Sequence, residues 1–368
     1  MLQNKANLGL GIRPFVRVWV LLLLIFSLAV CAAATELPDS ITQTPYILVL
    51  NNCDSDNVPP FNDVVLLLNN KGQVVNRIKG LNVCQDIGDN RAITISEDKR
   101  FFVVCENVAN KITAYSLSTG DEMWSLPGNF TSAAIAQGVT YALTLDGTIY
   151  GSGITAIDGK GNIIKQSEEA RGFDILVDTN LNCLWLVGGD IRKCDMNLKV
   201  VKAIDPITWC AVSVDIAPDG SIWVVEREHP EVVGSRNRLL KISPEVNISQ
   251  DISLKDLSPS CVRVNKTDGS VWVTGAHLRF RRRLSIGQWP PSWRRTYQSI
   301  GPETQKYSSE GKILLEIKRW GHSFDIDPSD GSVWIAETTQ LLHYSHAGKK
   351  LETWNEVSSG SKCITIVK

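Results

Sequence analysis

Three features of the sequence predict an all-β fold, a seven-bladed β-propeller that is closed by pairing of its N- and C-terminal strands. A phrase made of a turn, an aromatic residue and a short apolar run recurs along the chain, for example as "APDGSIWVVE" (Ala217 to Glu226) and "DPSDGSVWIAE" (Asp327 to Glu337). A second tight turn follows each copy, and the two ends of the chain supply complementary strands. Such self-similarity at a fixed period is typical of repeat architectures.

Each repeat is expected to form four antiparallel strands, which we label a to d from the inside outwards. A short run such as "CVRVN" (Cys261 to Asn265) gives strand a, and the aromatic run gives strand b. The second turn, for example "DGKGNII" (Asp158 to Ile164), joins strands c and d and places glycine or asparagine where a positive φ is needed. Four-stranded units without a comparable helical period indicate a propeller.

The number of strand-b aromatic residues predicts the number of blades. Seven copies are found, and six or eight blades are the alternatives. The aromatic positions are Tyr46, Phe102, Tyr141, Trp185, Trp223, Trp272 and Trp334. Because one buried aromatic side chain removes about 150–250 Å² from water, we expect these residues to pack between blades. A platform for a ligand is the alternative role.

The chain ends predict how the ring closes. The last run, "KCITIV" (Lys362 to Val367), resembles a strand a with no b, c or d after it, whereas "PYILVL" (Pro45 to Leu50) resembles a strand b with no a before it. Together they would complete one blade and leave no open sheet edge.

The first 34 residues are typical of a secretory leader. Lys5, Arg13 and Arg17 precede the apolar stretch Val18 to Val30, and small residues end the segment before Thr35. We therefore expect a signal peptide over 1–34, export to the periplasm or the extracellular space, and one propeller domain over 35–368. A retained membrane anchor is one alternative, although the apolar core is shorter than the roughly 18–20 residues that span a bilayer. A lipoprotein leader is another.

The charge balance argues against nucleic acid as a partner. The leader carries three basic residues and no acidic one, so the mature chain is mildly acidic, without the basic excess of nucleic-acid-binding domains. Its 43% hydrophobic and 21% charged residues are typical of a globular protein. We expect a monomer with no transmembrane segment in the mature chain.

Two cysteines are candidates for a disulfide. Cys183 and Cys194 flank Gly188-Gly189, which favours a two-residue hairpin turn. In that register the two cysteines would lie directly opposite each other, close enough to bridge. Two ordinary buried thiols are the alternative.

The phrase "DGS-aliphatic-W-aliphatic-x-E", followed by "NRLLKISPE" (Asn237 to Glu245), is similar to the repeat of the virginiamycin B (streptogramin) lyases and of NHL-type propellers. In those lyases a histidine at the start of an inner strand and a glutamate after the tryptophan strand meet at a divalent metal. The resemblance therefore implies His322 as the catalytic residue and Glu337 and Glu226 as metal ligands. Gly275 and Gly188 stand at the glutamate position in two other units.

Loops that join b to c and d to the next a emerge on one face of a propeller. The polar residues expected there are Asp54, Asp56, Asp89, Arg91, Glu106, Asp190, Glu226, His229, His277, Arg319, His322 and Glu337. Converging carboxylates favour Mg²⁺ or Ca²⁺, and a neighbouring histidine could act as a general base. A rim of scattered ion pairs is the alternative.

The sixth unit carries an insertion at about 276–305. Its core, "HLRFRRRLSIGQWPPSWRRTY" (His277 to Tyr297), contains six arginines, two tryptophans and no acid. An insertion on one face of a repeat array often binds a partner, and arginine beside tryptophan favours carboxylate, phosphate or sulfate groups. The candidate contact residues are Arg279, Arg281, Arg282, Arg283, Trp289, Trp293, Arg294 and Arg295. The alternative is a loop that pairs with acids of its own propeller.

Two functions therefore follow from the sequence. The first is an exported binding or scaffold protein whose basic insertion contacts a protein, an anionic glycan or a lipid headgroup. The second is a metal-dependent lyase or lactone-cleaving enzyme at the central channel. A quinone-cofactor dehydrogenase is disfavoured, because the mature chain is short for that class and lacks a vicinal cysteine pair.

Overall fold

The structure is a computed structural model. It describes residues 46–51, 63–81, 83, 91–144, 153–204, 211–228, 236–254, 257–285, 292–319, 321, 323–337, 340–355 and 361–367. For 277–285, 292–302, 361 and 362 it describes the backbone. The chain divides into two compact units, Met1–Gln43 and Thr44–Lys368, and every described residue belongs to the second. The predicted leader over 1–34 therefore lies outside the described residues.

The described residues form 28 strands and contain no helix that is long and apolar enough to cross a membrane. In chain order the strands are β1 (Ile47–Asn51), β2 (Asp63–Leu68), β3 (Val74–Leu81), β4 (Ile93–Ile95), β5 (Phe101–Glu106), β6 (Lys111–Ser116), β7 (Glu122–Pro127), β8 (Phe130–Ala136), β9 (Val139–Thr144), β10 (Gly153–Ile157), β11 (Ile163–Ser167), β12 (Asp174–Asp178), β13 (Cys183–Val187), β14 (Ile191–Asp195), β15 (Val200–Ile204), β16 (Ala211–Ile216), β17 (Ile222–Glu226), β18 (Arg238–Ile242), β19 (Ile248–Ser253), β20 (Leu257–Val264), β21 (Val271–Ser285), β22 (Ser292–Tyr307), β23 (Ile313–Ile317), β24 (Ser323–Ile326), β25 (Val333–Ala336), β26 (Leu341–Tyr344), β27 (Lys350–Trp354) and β28 (Ser361–Ile366).

The strands pair into seven antiparallel four-stranded sheets, so the predicted seven-bladed propeller is confirmed. Blade 1 has the order β28-β1-β2-β3, and blades 2 to 7 take the remaining strands in consecutive groups of four. The two chain ends share blade 1 as expected, because Val49 of β1 pairs with Ile364 of β28. The innermost strands are β28, β4, β8, β12, β16, β20 and β24, which contact one another from blade to blade.

Among the described residues the hydrophobic core consists of seven clusters, and each cluster lies between two neighbouring blades. Because successive side chains of a strand point to opposite faces, one strand can contribute side chains to the clusters on both sides of its blade. Trp223 packs between blades 5 and 6, and Trp272 packs between blades 6 and 7. Both indoles are fully buried, which agrees with their expected role as packing between blades.

The predicted disulfide is wrong, because Cys183 and Cys194 are both free and buried. The β13–β14 connection contains three residues, not two, so Cys183 pairs with Asp195 and Leu184 pairs with Cys194. This shift by one residue sends the two thiols to opposite faces of the sheet. Cys183 packs between blades 4 and 5, whereas Cys194 packs between blades 3 and 4.

Candidate functional site

The two glutamates that were predicted as metal ligands have basic partners. Glu226, the last residue of β17, accepts a hydrogen bond from Arg238 Nε at 2.6 Å, and both side chains are buried. Glu337 lies 3.6 Å from Arg319 Nη1 and accepts a hydrogen bond from the Gln340 amide at 2.6 Å. The negative charge of each carboxylate is therefore balanced within the protein.

Other predicted rim acids also pair with nearby bases. Glu106 lies 3.1 Å from Lys111 Nζ and accepts a hydrogen bond from the Thr113 hydroxyl at 2.8 Å. Asp190 accepts hydrogen bonds from Arg192 Nε at 2.7 and 2.8 Å. These contacts match the alternative of a rim with ion pairs. The predicted rim residues that lie outside the described residues are Asp54, Asp56, Asp89, His229 and His322. The side chain of His277 is likewise not described.

The described residues do not fit a Mg²⁺ or Ca²⁺ site at this rim. Among them no group of three or more histidine, cysteine or acidic side chains is arranged to hold a metal ion. In blade 6, a side chain at Gly275 would clash with the Ser258 carbonyl oxygen, so no glutamate fits the place that Glu226 has in blade 5. Whether His322 approaches either glutamate stays a prediction.

A cavity of about 290 Å³ lies between the inner strands of the propeller. Its lining comes from blades 1, 2, 4, 5, 6 and 7, mostly from the end of each inner strand where the turn to strand b begins. The predicted rim lies at the opposite end of the strands. The polar and charged residues of this channel cavity are Arg91, Thr94, Asp215, Arg263, Lys266, Asp325 and Thr365.

Two acids of the channel cavity also connect neighbouring blades. Asp215 of β16 accepts a hydrogen bond from the Val264 backbone N–H of β20 at 2.7 Å. Asp325 of β24 accepts one from the Ile366 backbone N–H of β28 at 2.9 Å. Each carboxylate thus bonds to the inner strand of the next blade, which positions it rigidly at the channel wall.

Arg91 crosses the channel from blade 2 to blades 4 and 5. Its guanidinium donates hydrogen bonds to Asp174 Oδ2 at 2.8 Å, to the Ile175 carbonyl at 3.2 Å and to the Val214 carbonyl at 2.7 Å. It also lies 3.7 Å from Asp215 Oδ1. Among the predicted rim residues that the structure describes, Arg91 is the one that reaches the channel cavity.

The two channel acids have pKa values that are shifted in opposite directions. Burial alone would raise the pKa of Asp215, but the positive charges of Lys266, Arg91 and Arg263 outweigh it and lower that pKa. Burial raises the pKa of Asp325 above its usual value, since Arg263 offsets this effect only in part. Lys266 Nζ lies 3.3 Å from Asp215 Oδ1, whereas Arg263 Nε lies 3.8 Å from Asp325 Oδ1.

Asp215, Arg263 and Asp325 were not predicted as site residues, although the sequence contains a signal for them. Each one interrupts a short apolar inner strand with a charge, where a buried strand normally continues apolar. In the structure each pairs across the sheet with the tryptophan of its blade. The pairs are Asp215 with Trp223, Arg263 with Trp272, and Asp325 with Trp334.

The predicted basic insertion forms a long hairpin and not a loop. Strands β21 and β22 run side by side as far as the pair Ser285 and Ser292. Strand β20 pairs with β21 only as far as His277, and β23 pairs with β22 only from Thr304 onwards. We call the two-stranded part beyond these partners, 278–285 with 292–299, the basic hairpin. At about 3.4 Å per residue, its eight paired positions extend roughly 27 Å.

The register of the basic hairpin places arginines opposite each other. Arg282 pairs with Arg295, and at the next position Arg283 pairs with Arg294. Seven of the eight predicted contact residues thus belong to the two strands: Arg279, Arg281, Arg282, Arg283, Trp293, Arg294 and Arg295. Trp293 pairs with Leu284, and Trp289 lies outside the described residues.

No protein-family model matches the chain, and no curated protein matches it in sequence. Solved structures do resemble it. A functionally unknown protein from Desulfotomaculum acetoxidans has a TM-score of 0.59 at 12% identity, covering 88% of this chain and 98% of its own. A protein from Lactobacillus plantarum has a TM-score of 0.58 at 10% identity, covering 88% of this chain and 100% of its own.

Streptogramin B lyase is also among the similar structures. Its TM-score is 0.55 at 14% identity, and the match covers 77% of this chain and 95% of the lyase. Identities this low show a shared fold and leave activity open. The chain is therefore a seven-bladed β-propeller with the fold of the streptogramin lyases.

Proposed function

We propose that the chain is an exported β-propeller that binds a polyanionic partner through the basic hairpin of blade 6. The observation that carries this proposal is the register of the hairpin, which sets two arginine pairs at adjacent positions, Arg282 with Arg295 and Arg283 with Arg294. No third strand pairs with this part of β21 and β22 among the described strands.

Without a bound partner, the paired arginines lower the stability of the basic hairpin. Like charges that lie directly opposite each other destabilise an antiparallel pair. A two-stranded ribbon without further strands is itself only marginally stable in water. A bound polyanion would remove the repulsion, because each guanidinium can hold a carboxylate or sulfate group through two parallel hydrogen bonds.

An anionic glycan fits the composition of the hairpin best. Arginine supplies planar donors for sulfate or carboxylate groups, and tryptophan supplies a flat apolar surface of the kind that packs against ring-shaped partners. Trp293 and Arg294 are neighbours in β22, so both residue types occur on this strand of the ribbon. An acidic protein or a lipid headgroup shares only the charge part of this chemistry.

The first experiment removes the charge of the hairpin. A variant with serine at Arg281, Arg282, Arg283, Arg294 and Arg295 should bind heparin roughly 100-fold more weakly than the parent, because several charge-assisted hydrogen bonds are lost. Binding is measured by calorimetry at two salt concentrations, and salt should weaken the parent complex. Anionic vesicles and a polyglutamate peptide test the two other partner classes.

A matched control removes the same charge elsewhere. Its serine substitutions are at the exposed residues Arg77, Arg100, Arg171, Arg236 and Arg319. This control has the same net charge as the hairpin variant and should bind heparin nearly as well as the parent. Equal weakening in both variants would show that only net charge matters and would refute the role of the hairpin.

Export rests on the sequence of the leader. Signal peptidase cleavage after Ala34 would leave Thr35 as the first residue of the mature protein. Amino-terminal sequencing of protein recovered from the periplasm or the medium tests this. Recovery of the full-length chain from the cytoplasm alone would contradict it.

A further inference from the structure

The channel cavity contains one arginine whose hydrogen-bonding capacity is mostly unused. Arg263 is buried, with 8% of its surface exposed. Among the described residues its guanidinium donates one hydrogen bond, from Nη1 to the Val262 carbonyl at 2.9 Å. Its contact with Asp325, at 3.8 Å, is too long for a hydrogen bond. A guanidinium has five N–H donors, so four of them have no protein acceptor there.

The other two cations of the cavity differ in this respect. Arg91 uses its guanidinium for Asp174 and for two backbone carbonyls. Lys266 donates to Asp215 and to the Ile216 carbonyl. No nitrogen of Arg263 is among the inaccessible polar atoms without a partner in the described residues, and Arg263 belongs to the cavity lining, so a ligand in the cavity could reach its free N–H groups. Arg263 is therefore the group at which an anionic ligand would gain most.

Asp325 offers the complementary acceptor. Its Oδ1 accepts the Ile326 backbone N–H and its Oδ2 accepts the Ile366 backbone N–H, both at 2.9 Å. A carboxylate has about four acceptor positions, so two remain. Burial raises the pKa of this carboxyl, which means that the charged form lacks stabilisation and would gain from a further donor.

The volume of the cavity limits the ligand to a small molecule. About 290 Å³ lies just below the volume of pockets that bind drug-sized molecules, which is roughly 300–1,000 Å³. The apolar part of the lining, which includes Ile93, Leu176 and Ile364, leaves room for a short carbon chain.

We propose that the channel cavity binds a small organic carboxylate that also carries a hydroxyl or amino group. Arg263 holds the carboxylate, and Asp325 accepts a hydrogen bond from the hydroxyl or amino group. The carboxylate of such a ligand would pair with the Arg263 guanidinium, and its hydroxyl or amino group would donate to Asp325. One molecule can do both, because the two side chains lie 3.8 Å apart.

The experiment titrates the full mature protein with lactate, gluconate and glutamate by calorimetry. Glycerol and sorbitol serve as neutral counterparts that keep the hydroxyl groups but lack the carboxylate. At least one of the three carboxylates should bind with a Kd below about 10 mM, and both neutral compounds should bind at least 10-fold more weakly. Inorganic phosphate tests whether a bare oxyanion is enough.

Arg263→Gln should weaken the bound carboxylate at least about 10-fold, because a charge-assisted hydrogen-bond pair is lost. The matched control is Arg100→Gln, since the Arg100 side chain is 77% exposed and does not belong to the cavity lining. The serine variant of the basic hairpin should bind the carboxylate like the parent, which separates this site from the proposed glycan surface.

A second substitution keeps the test decisive if Arg263→Gln does not fold. Thr365→Trp fills the cavity from β28 without changing any charge and should abolish binding. Folding of each variant is checked by its unfolding temperature. The proposal is overturned if no carboxylate binds, if phosphate binds as tightly as the best carboxylate, or if the folded Arg263→Gln or Thr365→Trp protein binds like the parent.

Discussion

At the scale of single residues, the strand-b tryptophan of each of blades 4 to 7 lies against a lysine or histidine side chain of the next strand. Lys193 Nζ lies 5.3 Å from the centre of the Trp185 ring, and the equivalent distances in blades 5 and 6 are 5.7 and 5.5 Å. In blade 7 the ring of His343 stacks on Trp334 at 3.9 Å. The three lysine contacts are cation–π interactions, which stabilise a buried indole.

The aspartate of the "DGS" turn completes this arrangement. In blade 5, Asp219 Oδ1 accepts the Ser221 backbone N–H at 3.0 Å, and Oδ2 accepts a hydrogen bond at 2.8 Å from Lys241, the residue above Trp223. One carboxylate thus shapes the turn and orients the lysine. The recurring phrase is explained by turn and packing chemistry, without any need for catalysis.

The pH dependence of folding should follow from these aspartates. Burial opposes ionisation of Asp219 and Asp268, but hydrogen bonds from Lys241 and Ser221 to the first, and from Ser270 and His346 to the second, lower both pKa values to about 2. Because the folded-state pKa is depressed, the stabilisation is fully present above the ordinary pKa of about 3.8 and is lost as pH falls towards 2.

The test is a double variant, Asp219→Asn and Asp268→Asn, in urea unfolding at pH 6, 4 and 2. The variant should be less stable than the parent at pH 6, and the difference in free energy of unfolding should shrink between pH 4 and 2. Asp121→Asn, at an exposed position, is the control and should follow the parent throughout. A difference that does not change with pH would contradict the assignment.

At the scale of elements, one additional residue in a turn determines whether two cysteines lie opposite each other. Residues 188–190 join β13 to β14, so the register differs by one from that of a two-residue turn. Cys183 and Cys194 are consequently buried in separate hydrophobic clusters. The sequence cannot distinguish these two turns, since Gly188-Gly189 suits either.

We expect the thiols of Cys183 and Cys194 to stay reduced when the folded protein is kept under oxidising conditions. Alkylation of the denatured chain without reductant should label Cys183 and Cys194 completely, as measured by peptide mass spectrometry. A disulfide-linked peptide that contains both residues would show that the predicted two-residue register is the right one.

The basic hairpin illustrates a different limit. Its position in the chain and its charge could be predicted, because "RFRRRLS" and "SWRRTY" stand out in composition. Its strand character could not, because arginine at consecutive positions hides the alternation of polar and apolar residues that marks a strand. The pairing of Arg282 with Arg295 becomes visible only once the register is known.

At the scale of the whole molecule, the ring of seven blades could be predicted from the sequence, whereas the channel cavity could not. Turn and tryptophan signals are local, and they recur, so each copy supports the others. The lining of the channel cavity draws one to four residues from each of six blades that are distant in sequence. Nothing in the sequence around Arg263 indicates that Asp325, 62 residues later, lies 3.8 Å from it.

Closure of the ring should account for a large part of the stability. Ile364 of β28 is 1% exposed and pairs with Val49. Ile364→Ala should lower the free energy of unfolding by about 2–5 kcal/mol, as a cavity forms where blade 1 meets blade 7. Ile313→Ala, at a 54% exposed position on β23, should change it by no more than about 0.5 kcal/mol. Urea unfolding measures both, and equal effects would argue against the closure.

The shared blade also sets an order of events during synthesis. A ribosome that adds about 5–20 residues per second needs on the order of tens of seconds between β1 and β28. Throughout that interval one edge of β1 is unpaired. Strand β28 of a second, completed copy of the chain can pair with this edge. Crowded translation of this chain should therefore yield swapped assemblies, linked through exchanged tails, unless a chaperone shields the nascent edge.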